Sequence, residues 1–188
     1  MPDDADRDTP DRDTRFAGYR RARVVFAPLG GARLVVRPAA QPGPYPVDGS
    51  PVHVLTAHDP GAARLGDAEN RRRQRALEAE LAAAGLTVAR AVASAEDGTH
   101  AEESAAVVGW DDDAALALAR RYGQDAIFRW SPDAWEVVPC DGGPPLTSGW
   151  TVERTDDDRA GGNAVKGSPT TPSPATSPRA DRPPRAPG

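Results

Sequence analysis

The stretch "VHVLTAHDPGAARLGDAENRRRQRALEAEL", Val52 to Leu81, decides the fold class. Its first six residues, Val52 to Ala57, carry apolar side chains at positions of both parities, so they read as a strand inside a sheet with both faces covered. A turn through Pro60 and Gly61 follows. Beyond it, Asn70, Gln74, Leu77, Leu81 and Ala84 fall on one stripe before Gly85, which predicts an amphipathic helix with Asp67 as its N-cap. A strand that runs through a short turn into a helix places the chain among the mixed folds.

Working outward, "ARVVFAPLGGARLVVR", Ala22 to Arg37, gives two β-branched runs around Pro-Leu-Gly-Gly, a β-hairpin. Pro38, Pro42, Pro44, Pro46 and Pro51 make the next segment a loop that cannot enter a sheet interior. "LTVARAVAS" and "HAEESAAVV" predict two more strands around "AEDGT". A second helix begins at Asp111–Asp113, acids that suit a positive helix start, and ends at Gly123. "AIFRW" and "WEVVPC" form a last hairpin. Two helices cannot cover both faces of so many strands. The expected class is therefore α+β, a two-layer sandwich of a largely antiparallel sheet with two main helices on one face.

The expected domain spans residues 16–142, within the size of one ordinary domain. Residues 1–15 alternate acids with Arg and Pro, and residues 143–188 are rich in Pro, Ser, Thr and Arg. Both read as disordered tails, because neither offers enough apolar surface to offset the entropy of ordering.

The net charge of -5 argues against a nucleic-acid partner. No apolar run approaches the ~20 residues of a membrane span, and the N-terminus has no apolar signal core. One cysteine, Cys140, cannot form an internal disulfide, so the expected location is the cytoplasm. Lys166 is the single lysine among 23 cationic residues, the usage of a GC-rich genome.

Candidate chemistry concentrates at the strand-to-helix turn. Arg71, Arg72, Arg73 and Arg75 crowd the first helical turns, where the helix field disfavours cations. Arg73 shares a side with Asn70 and Gln74 at the wet end of the stripe, while Arg71, Arg72 and Arg75 suit a solvated face. Free helix-start amides with Arg73 suit an anion site. His53, His58 and His100 lack metal-ligand spacing, and no cofactor fingerprint or metal site is expected. Cys140 has no histidine near it in sequence and reads as structural. Glu102 and Glu103 point to opposite sheet faces, so one at most can serve a given site.

The succession "YRRARVVF", "VHVLTAHDPG", "ENRRRQRALEAEL", "EDGTHAEES" and "ARRYGQDAIF" resembles a bacterial family of uncharacterised proteins, domain-of-unknown-function family 3293. The resemblance covers about Tyr19 to Cys140 and points to Thr56, Pro60, Glu69, Asn70, Arg73, Ser104 and Gln124. His58-Asp59 stands where the family usually has Trp-Asn, and His100 where it tends to have Trp. The family implies a shared domain but no activity.

The expected function is a small binding module with a polar pocket at the Thr56–Arg73 turn, taking an anionic small ligand or a partner's acidic segment. Its candidate residues are Thr56, His58, Asp59, Asn70, Arg73, Glu103, Ser104 and Gln124. One alternative is a hydrolase or phosphoryl-handling enzyme with Arg73 as oxyanion clamp and Glu103 or Asp59 as base. The other is a protein-interaction domain using an exposed Trp130 or Trp135 hairpin edge.

Overall fold

A computed structural model describes residues 16–29, 32–61 and 63–155. Gly30 and Gly31, where the hairpin turn is expected, Ala62, and residues 1–15 and 156–188, expected as tails, lie outside the described residues. A short 3-10 turn, Tyr19–Arg21, leads into β1 (Arg23–Leu29) and β2 (Ala32–Ala39). Then come β3 (Val52–Thr56), α1 (Asp67–Ala83), β4 (Val88–Ser94), β5 (Glu102–Val108) and α2 (Asp112–Arg121). The chain continues through β6 (Ala126–Trp130), β7 (Trp135–Pro139) and β8 (Leu146–Thr155).

The expected hairpins form: β1 pairs with β2, β4 with β5, and β6 with β7, all antiparallel. The expected sandwich does not. The eight strands close into an antiparallel barrel in the order β1-β2-β8-β7-β6-β3-β5-β4, with β4 paired back onto β1. Two elements account for the difference. The first is β8, which lies in the stretch expected to be tail. It reads as polar because its outward residues Thr147, Thr151 and Glu153 alternate with inward-lying Trp150 and half-buried Val152. β8 bridges β2 and β7, so the sheet extends past residue 142. The second is the β1–β4 ladder from Arg23↔Ser94 to Ala27↔Arg90, which removes both remaining edges.

Closure divides the apolar residues into two sets. One fills the barrel: Phe26 stacks on Trp130, Phe128 on Trp135, and Trp150 meets Trp130 edge-on, with centroids 5.1–5.5 Å apart. Trp130 and Trp135, expected at an exposed edge, are 0% and 1% exposed, and β7 has neighbours on both sides. The other set lies outside the barrel, where Leu55, Ala105, Val107 and Ile127 pack against Leu77 and Leu81 of α1 and Ala115, Leu118 and Ala119 of α2. Both helices thus cover the same outer wall. Among the described residues no helix is long and apolar enough to cross a membrane.

One end of the barrel is plugged by the proline-rich loop. Tyr45 Oη donates to the carbonyls of Ser50 and Trp130, and its ring packs edge-on against Trp130 and Trp150. Gly43 N–H donates to Trp150 O, and Trp150 N–H to Gln41 O, drawing the loop onto β8. That approach requires Gly149, where a Cβ would lie 2.1–2.5 Å from the backbone of Gln41.

Outside the barrel, the start of α2 is tied down by charge. His53 on β3 is fully buried, with Nε2 2.7 Å from Asp112 Oδ1. Asp112 also pairs with Arg129, whose Nε donates to Glu136 at 2.6 Å. Asp111 is the N-cap, accepting from Ala114 N–H. Burial is the main influence holding the His53 imidazole below its ordinary pKa, against the pull of Asp112.

Two outcomes follow. Gly149→Ala should lower stability by about 3 kcal/mol, since the clash is with backbone that cannot rotate away; urea unfolding measures it. Because the folded pKa of His53 is depressed, its neutral form contributes stability that is intact above the unfolded value of about 6.5 and declines as pH falls through it. The loss in urea midpoint between pH 7.5 and 5.5 should be smaller in His53→Gln, which keeps a donor for Asp112.

Candidate functional site

The strand-to-helix turn after β3 is built by the polar stripe of α1. Gly66, with Asp67 as the first helical residue, takes the N-cap position and offers no side-chain cap. Asn70 and Gln74 are buried one and two turns further on. Each is spent on backbone it faces: Gln74 Oε1 accepts from Ala57 N–H at 3.1 Å, and Asn70 Oδ1 from Asp59 N–H at 3.0 Å. Asp59 sits at φ 37°, a left-handed conformation that Asp tolerates better than most residues. Its carboxylate accepts from Asn70 Nδ2, Leu65 N–H and Arg64, which together hold it below the usual carboxylate range.

Arg73 is part of the same clamp. Its Nε donates to Ala57 O at 2.8 Å and its Nη2 to Tyr122 O at 2.6 Å, with the guanidinium 5.8 Å from the Tyr122 ring centroid. A cation at the C-terminal end of α2 is favoured by the helix field there. Gln124 Nε2 donates to His58 O, and Gly61 N–H to Gly123 O. Gly123 has φ +76°, and a Cβ there would meet Pro60 at 2.7 Å. Three of the segments carrying the family resemblance, the turn after β3, the start of α1 and the end of α2, therefore converge on one joint.

That joint forms one lip of a cavity of about 340 Å³ at the barrel end opposite Tyr45. Val54, Thr56, Glu102, Ser104, Ala126 and Phe128 face it from the strands, while Tyr19, Arg64 and His100 lie at its rim. The space exists because β4 and β5 put Ala91, Ala93, Ser104 and Ala106 inside, where other strands put rings.

The expected site residues divide accordingly. Thr56 and Ser104, opposite each other on β3 and β5, line the cavity. Thr56 Oγ1 donates to Glu103 O and accepts from His58 N–H. Asp59, Asn70, Arg73 and Gln124 belong to the joint behind it, with two of the donor nitrogens of Arg73 committed to carbonyls. His58 sits in the turn, where burial holds its imidazole below the ordinary value. Glu103 faces outward and Glu69 pairs with Arg72 on the surface. The three histidines do not converge, and among the described residues no group of three or more His, Cys, Asp or Glu is placed to hold a metal ion.

Glu102, Tyr19, Phe128, Arg64 and His100 are cavity residues that the turn-centred expectation omitted. Glu102 carried a usable signal: it shares inward parity with Ser104 and Ala106 on a strand whose inner face is otherwise small. Burial raises its carboxyl above the usual range, with Asp59 adding to the shift and Arg64 and His100 opposing it. Its carboxylate makes no hydrogen bond or ion pair among the described residues.

Residues 55–127 match the family model described as Protein of unknown function (DUF3293). No curated protein and no solved structure matches the chain.

Arg73→Ala should destabilise the domain by about 3 kcal/mol, because two carbonyls lose charge-assisted donors. Arg73→Lys should recover only part of that, one ammonium replacing a fork that spans Ala57 and Tyr122. Chemical denaturation of the three proteins gives the comparison.

Proposed function

We propose, for a chain whose residues 55–127 belong to the DUF3293 family, that the domain is a binding module whose ligand site is the open mouth of the barrel. The observation that carries this reading is the cavity of about 340 Å³, with apolar walls and a few convergent polar groups at one end of a barrel plugged at the other. Its size falls at the low end of small-molecule sites, and barrel mouths are among their usual positions. Eight strands make a tube wide enough for one small ligand.

The strand-to-helix turn supports the mouth rather than serving as the pocket. Arg73 and Asn70 organise the lip, so an anion pocket centred on that guanidinium has little support. The enzyme reading has less as well: Asp59 is saturated with donors and Glu103 faces away from the cavity, so neither is positioned there as a base. A bacterial, cytoplasmic setting belongs to the same proposal, supported by the Arg-rich, Lys-poor composition and by a single cysteine, Cys140, that is buried.

The test is an amide-resolved titration of the full chain with small amphipathic fragments. Shifts should cluster on Thr56, Ser104, Ala126 and Phe128. Ala93→Phe, which fills the cavity from β4, should weaken every fragment by at least about tenfold while leaving the near-ultraviolet circular dichroism intact. Shifts elsewhere, or unchanged binding in a folded Ala93→Phe protein, would reject the reading.

A further inference from the structure

The mouth has one charged group set into its wall. Glu102 projects inward from β5, beside Ala93 of β4 in register and two residues from Ser104. It is half-buried, and nothing among the described residues bonds to its carboxylate. The apolar surfaces near it come from Tyr19, Val54, Ala126 and Phe128, the rings of Tyr19 and Phe128 lying 5.9 Å apart. Cationic groups at the rim are poorly placed to neutralise it. Arg64 is largely exposed and bonds to Asp59 at 3.2 Å, and His100 is exposed at a residue with φ 51°. Asp59 itself adds negative potential from the neighbouring lip.

A carboxylate withdrawn from water without a partner is costly, and an ammonium is the ligand group that relieves this cost most fully. Aromatic faces beside it favour a cation over a neutral donor as well. Resting on the barrel-mouth reading above, we propose that the ligand is an amphipathic amine, its ammonium held by Glu102 and its apolar body lying against Phe128, Val54 and Tyr19. An anion would meet the carboxylate with no compensating buried cation.

The experiment compares three probes of one shape, phenethylamine, 2-phenylethanol and 3-phenylpropionate, titrated into the full chain by calorimetry and amide shifts. The amine should bind at least about tenfold more tightly than the alcohol, and the carboxylate most weakly. Glu102→Gln should abolish the preference for the amine over the alcohol. In the unaltered protein, amine binding should weaken as pH falls through the Glu102 titration, from above the usual carboxylate range, while alcohol binding stays level. This second measurement does not depend on how the variant folds. Equal binding of amine and alcohol, tighter binding of the carboxylate, or a pH-independent amine would overturn the amine assignment and leave the cavity reading standing. If none of the three binds, or all bind undiminished to Ala93→Phe, the cavity reading falls with it.

Discussion

The ladder between β1 and β4 holds the rest of the architecture in place, because it converts a curved sheet into a tube. Arg23 to Ala27 pair with Ser94 to Arg90, and with that contact made every strand has two neighbours. Closure defines an inside and an outside. The inside then has to be filled, and the aromatic rings of β1, β6, β7 and β8 fill most of it. The outside has to be covered where it is apolar, and α1 and α2 cover the wall made chiefly by β3, β4, β5 and β6.

Within that frame the cavity has a simple cause. Large residues crowd the half of the barrel near Tyr45, whereas β3, β4 and β5 line the mouth mostly with small side chains, Thr56, Ala93, Ser94 and Ser104 among them, beside Phe128 of β6. The lip is then made rigid by a joint of side chains bonded to backbone: Gln74 to Ala57, Asn70 to Asp59, Arg73 to Ala57 and Tyr122, and Gln124 to His58. Buried carbonyls and amides in an irregular turn require partners. This requirement explains why polar residues occupy the buried stripe of an otherwise ordinary amphipathic helix.

Much of the local structure was legible in the sequence. Hairpin turns, the stripe of α1, the glycine stops at Gly85 and Gly123 and the acidic start of α2 all follow from short-range rules. Asn70 and Arg73 stood out as polar residues at one end of a packing stripe, a position that pointed to a ligand, whereas the partner each finds is backbone. That partner was not legible: a helical wheel shows which way Arg73 faces, but the carbonyl of Tyr122 lies 49 residues away. Glu102 was passed over for a related reason. Alternation assigns it a face, yet only closure makes that face an interior.

The sequence by itself determined both helices, seven of the eight strands and which of their residues share a face, because propensity, capping and periodicity act over a few neighbouring residues. Tertiary structure alone decided that the sheet is a barrel, that the polar strand Leu146–Thr155 completes it, and that a cavity opens at one end of it. Strand pairing and closure depend on contacts between residues far apart in the chain. A half-polar strand such as β8 looks like tail until β2 and β7 supply its two neighbours.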